Sequence, residues 1–306
     1  MARQPVRIGA RGSKLSLAQA GLVRAAIAAR LGDDAAAVIV PITTSGDREA
    51  AARLADIGGK GLFTKEIEAT LLAGDIDCAV HSLKDMPTAD TPGLAIAAVP
   101  EREDARDAFV SGRFAAMGEL PRGARLGTSS LRRAAQARFS RPDLAIVPLR
   151  GNVDTRLAKL DGGEAEAILL AAAGLKRLGL VARARSFIDP RQSPPAPGQG
   201  ALAVQTREAD TDAPWLAGLD SEAAALSVTA ERGALAALEG SCRTAVGAHA
   251  WIEGGRLKLI VEALTPDGAR RFRRAGETEV SRPAAAALGE RLGGEVAAEG
   301  GAALFV

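Results

Sequence analysis

Arginines beside glycines, hydroxyls and amides mark three loops of this 306-residue chain: Arg11-Gly12-Ser13, Thr128-Ser129-Ser130-Leu131-Arg132-Arg133, and Arg150-Gly151-Asn152-Val153-Asp154-Thr155-Arg156. Each combines a side chain suited to cap a helix N-terminus with guanidinium groups. Guanidinium forks bind carboxylates and phosphates through paired hydrogen bonds, so these loops suit a ligand with several anionic groups. A single such loop is as readily a solvated helix end; three at successive strand ends favour a binding surface. A fourth stretch, His81-Ser82-Leu83-Lys84-Asp85-Met86-Pro87, follows the apolar run Asp77-Cys78-Ala79-Val80 and places Asp85 beside Lys84 at the mouth of that surface. A carboxylate among cations can stabilise a developing positive charge or shuttle a proton. A structural salt bridge is the competing role.

Cys242 lies in Leu238-Glu239-Gly240-Ser241-Cys242-Arg243, a loop after a long helix, whereas Cys78 lies in an apolar strand. The neighbouring Arg243 favours the thiolate at Cys242. No histidine adjoins it in sequence, so a stable covalent attachment is as reasonable as nucleophilic turnover, and an inert thiol is the default for a lone loop cysteine. Gly58-Gly59-Lys60-Gly61-Leu62-Phe63 leads into a helix but fails the phosphate-loop pattern, because Gly61 follows the lysine. Lys60 there could meet an anion, or the loop could be a plain turn.

The elements that must position these groups alternate between periods of two and 3.6. A strand at Val6–Gly9 precedes a helix from about Leu15 to Leu31, a strand at Ala36–Ile42, a helix at Phe63–Ala73 and a buried strand at Asp77–Val80. The same order restarts with strand Arg125–Gly127, helix Leu131–Phe139, strand Ala145–Leu149, helix Val153–Leu160 and strand Ala167–Ala171. Such alternation predicts an α/β fold with largely parallel sheets, whose ligands bind beyond the strands' carboxyl ends. Faint self-similarity supports a second lobe. Ser13 precedes Gln19 by the interval that separates Ser130 from Gln136, and Gly74-Asp75-Ile76-Asp77 matches Gly163-Glu164-Ala165-Glu166. Pro100 to Asp107 reads as a charged link and Asp189 to Gly200 as a proline-rich hinge. From about Asp220 a helix at Ser221–Leu238 and strands at Ala248–Glu253 and Arg256–Ala263 predict a third, α+β domain, with Arg256, Lys258 and Glu262 on the exposed face of the last strand.

Composition narrows the classes. A net charge of +2 provides no basic field for nucleic acid, and only seven of the 39 basic residues are lysines. Two histidines and two cysteines give neither a zinc site nor a disulfide framework. No apolar run approaches the ~20 residues that span a bilayer, and the first ten residues lack a signal-peptide core. A cytoplasmic location is expected.

Taken together, these segments resemble the porphobilinogen deaminase family nearly end to end. The resemblance rests on Arg11-Gly12-Ser13-Lys14-Leu15, Gly58 to Phe63, His81 to Pro87, Gly127 to Arg133, Arg150 to Arg156, Gly174 to Gly179, Pro195 to Gly200 and Gly240-Ser241-Cys242. It implies a transferase of tetrapyrrole and haem biosynthesis that deaminates four porphobilinogen molecules, joins them head to tail and releases hydroxymethylbilane with water. It also implies a dipyrromethane cofactor, thioether-linked to Cys242 and contacted by Lys84, Asp85, Ser129, Arg132 and Arg133. Each porphobilinogen carries an acetate and a propionate; by the same resemblance Arg11, Ser13, Arg150, Arg156, Arg177 and Gln199 bind substrate, and Lys60 and Phe63 belong to a loop covering it. Asp85 is implied to face the pyrrole N–H groups, stabilise the azafulvene cation formed on ammonia loss and assist proton transfer. Asp56 departs from a lysine present in some members.

The implied fold has two periplasmic-binding-protein-like lobes with mixed, mainly parallel sheets, plus a smaller α+β C-terminal domain. Residues 1–100 and 200–218 are expected to form the first lobe, 105–194 the second, and 220–306 the domain carrying the cofactor. The expected partner is porphobilinogen alone, with neither nucleic acid nor membrane, and the chain is expected to be a monomer. Two rivals remain: a two-lobed anion-binding protein, which leaves Cys242 without a role, and an acyl- or amino-group enzyme using Cys242 as nucleophile.

Overall fold

The computed structural model describes residues 4–48, 64–238 and 244–304. These form two compact units, one of 4–48, 64–103 and 200–225, the other of 104–199 and 226–304. In chain order the first holds β1 (Val6–Arg11), α1 (Lys14–Leu31), β2 (Ala37–Ile42), the single turn α2 (Ser45–Arg48), α3 (Lys65–Leu72), β3 (Cys78–Ser82) and β4 (Leu94–Ala98). The second begins with β5 (Asp107–Val110), β6 (Arg125–Gly127), α4 (Leu131–Ser140), β7 (Ala145–Val147), α5 (Val153–Asp161), β8 (Ala167–Ala171), α6 (Ala172–Arg177) and β9 (Ser186–Phe187). After β10 (Leu202–Arg207) in the first unit, the chain continues through α7 (Glu222–Ala237), β11 (Ala245–Glu253), β12 (Arg256–Leu264), β13 (Arg271–Thr278) and α8 (Arg282–Gly300).

Two five-stranded sheets repeat one plan. In the order β2-β1-β3-β10-β4, strands β1, β2 and β3 are parallel and β10 runs against both its neighbours. In the order β7-β6-β8-β5-β9, β6, β7 and β8 are parallel and β5 runs against both its neighbours. Four strands of each sheet therefore share a direction, as the expected mainly parallel sheets require. In each sheet the reversed strand comes from just beyond a point where the chain passes between units.

The repeat reaches side chains. Ser13 caps α1 by accepting from Ser16 N–H, and Ser130 caps α4 by accepting from Arg133 N–H. Asp77 accepts from the backbone and guanidinium of Arg7, and Glu166 does the same for Arg125. The matched tetrapeptides thus belong to one recurring strand lock. Alternation then fills the first unit's core from both sides. Cys78 and Val80 of β3 pack with Ala20, Val23 and Ile27 of α1, while Ala79 packs with Ile67 and Leu71 of α3.

The second unit also contains the antiparallel sheet β11-β12-β13, backed by α7 and α8, giving the expected α+β texture. The two helices meet closely: a Cβ on Gly289 would stand 2.2 Å from the Ala230 carbonyl oxygen. The opposite face of this sheet is covered too, with Ala135 of α4 packed on Ala245 and Leu264. Gly268, at φ 75°, brings the following turn against α4, where any Cβ would lie 2.7 Å from Ala135 O. This second covering corrects the expectation for β12. Glu262 is only 1% exposed, because the face that alternation assigned to solvent meets a helix.

The segment expected as a proline-rich hinge is packed as well. Pro194 O accepts from Arg132 and Gln136, Pro195 O from Ala248 N–H, and Gly198 N–H donates to the buried Glu231. The charged link ends inside a sheet, since Asp107 is the first residue of β5 and is 3% exposed.

Candidate active site

In the first unit, β1 and β3 pair in parallel, with Ile8 opposite Cys78 and Gly9 opposite Ala79, so their carboxyl ends finish side by side. Arg11 ends β1 and is followed by the cap Ser13; Ser82 ends β3 and is followed by the short turn Leu83–Asp85. A pocket forms there, lined by Arg11, Ser13, Ser16, Gln19, Thr64, His81, Ser82 and Asp85. Gln19 Nε2 donates to Ser82 Oγ at 2.8 Å, which ties α1 to the end of β3. Lys84 and Asp85 are both exposed, so the carboxylate lies within reach of a ligand. Serine hydroxyls, a guanidinium and a carboxylate around one small pocket can bind an acidic group and meet a positive charge.

His81, also in the pocket wall, was not singled out by sequence. Gln205 Nε2 donates to Glu68 Oε1 at 3.1 Å, so Gln205 Oε1 must accept the 3.2 Å bond from His81 Nε2. This fixes the neutral Nε2–H tautomer. Burial holds the imidazole down to about 4, against the smaller opposing pull of Glu68. The unfolded chain, with histidine near 6.5, therefore takes up a proton before the folded one does. Stability should fall as pH drops below about 6.5 and level off near 4, losing roughly 3 kcal/mol over that interval. Urea melts of the wild type and His81→Gln across this range check it, since the substitution should remove that part of the slope.

In the second unit the carboxyl ends of β7, β6 and β8 lie along one edge, because these strands are parallel neighbours. Beyond β6 are the exposed Ser129 and the buried Arg132 and Arg133; beyond β7 are the half-buried Arg150 and Arg156; α6, beyond β8, ends on the half-buried Arg177. Asn152 caps α5 by accepting from Thr155 N–H, and Arg156 Nε donates to Gly151 O at 2.8 Å. Five of the expected binding arginines thus share the edge where an anionic ligand of an α/β sheet is held.

Sequence reading missed the residue that organises this edge. Asp107 Oδ2 accepts from Arg132 Nη1 at 2.7 Å, while Oδ1 accepts from Arg133 Nη2 at 2.7 Å and from Gln199 Nε2 at 2.8 Å. Desolvation works against the Asp107 carboxylate, yet Arg132 and Arg133 together outweigh it and hold its pKa far below the usual range. For Arg132 burial wins: its pKa is lowered by desolvation and by Arg133, despite Asp107. The asymmetry has a simple origin. One carboxylate serves two guanidiniums, so the carboxylate is doubly compensated and each arginine only partly. The group keeps an excess positive charge away from water, a setting that favours an anionic ligand.

The geometry of Arg132 indicates where an anion would sit. Its Nη1 donates to Asp107, Gln136 and Pro194 O, while its Nε is buried with no hydrogen bond among the described residues. That leaves the Nε–Nη2 edge, the side-on face that meets a carboxylate with two bonds. Arg133 differs: Nε and Nη2 bind Asp107, and Nη1 donates to Leu169 O. Gln199, expected to meet substrate, is 0% exposed, with its amide engaged by Asp107, Ala105 O and Arg133. Cys242, Lys60, Phe63 and Asp56 lie outside the described residues. Among the described residues no cluster of acidic, histidine or cysteine side chains could hold a metal ion, and no helix is long and apolar enough to cross a membrane.

Comparison with known proteins identifies the family. Residues 6–214 match the family model "Porphobilinogen deaminase, dipyromethane cofactor binding domain", and residues 225–298 match "Porphobilinogen deaminase, C-terminal domain". The porphobilinogen deaminase of Caulobacter sp. (strain K31) is 63% identical, with 100% of this chain and 99% of the relative aligned. That of Burkholderia mallei (strain SAVP1) is 49% identical over 97% of this chain and 91% of its own length. Among solved structures, the methionine binding protein MetQ aligns with 69% of this chain and 86% of its own at 14% identity and a TM-score of 0.44. Two family models cover most of the chain and its relatives align from end to end: the chain belongs to the porphobilinogen deaminase family.

Proposed function

We propose that the chain deaminates porphobilinogen, joins four molecules head to tail on a dipyrromethane held by Cys242, and releases hydroxymethylbilane with water. The observation that carries this reading is the excess positive charge of Arg132, Arg133 and Asp107 with a buried, unanswered Nε–H on Arg132. A dipyrromethane fits that donor set, because its pyrrole rings carry acetate and propionate groups. When bound, it supplies a tethered pyrrole with a free α-carbon as nucleophile. Arg132, Ser129 and Lys84 would hold its carboxylates. Arg133 and Gln199, fully engaged inside the protein, keep Asp107 and thereby Arg132 in place. Arg11, Ser13, Arg150, Arg156 and Arg177 bind the carboxylates of incoming substrate.

Asp85 is the group that acts at each cycle. When the aminomethyl C–N bond breaks, ammonia leaves with the electron pair and positive charge spreads over the substrate's pyrrole. A carboxylate facing the ring nitrogen lowers the energy of that charge and can then take the proton released as the new C–C bond forms. The same reading divides the chain into residues 1–100 with 200–218, 105–194 and 220–306.

Intact-mass measurement tests the reading directly. Purified protein should weigh more than its sequence by one dipyrromethane, and Cys242→Ser should show no excess. An active wild type of unmodified mass would rule the reading out.

A further inference from the structure

We infer that Glu262 and Gln136 are positioning residues that set the guanidinium of Arg132 for carboxylate binding. The inference rests on the function proposed above and extends it into the C-terminal sheet. Gln136 lies on α4, one helical turn after Arg132, so the two side chains share a face. Its amide is fixed at every polar atom: Oε1 accepts from Arg132 Nη1 at 2.9 Å, and Nε2 donates to Pro194 O at 2.9 Å and to Glu262 Oε1 at 3.0 Å. Turning the amide over would point N–H at N–H on Arg132 and oxygen at oxygen on Pro194 and Glu262. The carboxylate of β12, together with Pro194 O, therefore selects the orientation in which Gln136 accepts from Arg132. With Nη1 held by that oxygen and by Asp107, the Nε–Nη2 edge is the one presented.

Packing alone does not call for an acid here. Ala135, Ala245 and Leu264 form an apolar patch beside it, and replacing a whole buried ion pair by apolar side chains is often neutral, although removing the acid alone strands its partners. Burial raises the pKa of Glu262, although Gln136, Arg273 and Arg271 draw it back. Arg273 Nη1 lies 3.3 Å and Arg271 Nε 3.9 Å from Oε2, which leaves Oε1 to Gln136. An acid kept at a site that disfavours it, and hydrogen-bonded to the amide that orients a ligand-binding arginine, is explained by orientation.

The test uses full-length Glu262→Leu, Glu262→Gln, Gln136→Leu and the Leu/Leu double variant, with porphobilinogen as probe. Glu262→Leu should leave a substantial fraction of chains without cofactor by intact mass and lower kcat per total protein in the same proportion, while KM stays within about twofold. Glu262→Gln keeps an oxygen acceptor and should restore both readouts. The double variant should be no worse than Gln136→Leu, because both residues act through one amide. Full cofactor occupancy in Glu262→Leu would overturn the inference. So would additive effects in the double variant, or a fall in melting temperature with no change in cofactor occupancy. A wild type lacking the cofactor mass would instead refute the function proposed above, so the two failures are distinguishable.

Discussion

Asp85→Asn is expected to yield a normally folded protein that turns over about 10²–10⁴-fold more slowly. The side chain is exposed, so an isosteric amide disturbs no core. What changes is chemical. The amide cannot balance the positive charge that grows as ammonia departs, nor accept a proton at the pH of the reaction. The residue stands in a turn at the end of β3, beside the pocket holding Arg11 and Ser13, where a bound substrate's ring nitrogen could face it. Single-turnover rates should fall with the steady-state rate while the circular dichroism spectrum and melting temperature stay put. A near-normal single turnover would remove Asp85 from the chemistry and leave it a binding group.

For Asp107→Ala the expected effect falls on folding. Two arginines, each about nine-tenths buried or more, would lose their common carboxylate, and breaking a buried pair in this way costs about 3–5 kcal/mol. Against a total stability of about 5–15 kcal/mol, that change removes a large share of the margin and should lower the urea midpoint markedly. Arg133→Met in the same background should recover part of the loss, because it removes one stranded charge while keeping an apolar stem. Urea denaturation monitored by tryptophan fluorescence measures both. A midpoint unchanged in Asp107→Ala would show that the arginines find another counter-ion.

How much of this was legible in sequence depended on the range of the interaction. Ser13, Ser130 and Asn152 act on the N–H groups of the next turn, so strand, cap and arginine could be placed from local spacing alone. The matched tetrapeptides were visible because their glycines and acids recur, but their partners Arg7 and Arg125 lie far back along the chain and were not. Asp107 was hidden: it closes a run of charged residues and starts a strand of four, so nothing nearby marks it as buried. Its significance comes from Arg132, Arg133 and Gln199, which meet it from far along the chain. Glu262 misled for a related reason. Alternation along β12 separates two faces, but only the position of α4 decides that both are covered.

The reversed strands govern when the sheets can form. β4 pairs with β10 and has no other partner in its sheet, and β10 is made only after the whole of 104–199. A nascent chain that has just released β4 therefore holds an unfinished sheet with an open edge on β3 until residue 207 leaves the ribosome. Long-range pairing of this sort slows folding and prolongs exposure of unpaired strand edges. Synthesis of this enzyme thus includes an interval in which its amino-terminal part presents a strand edge open to pairing with other chains.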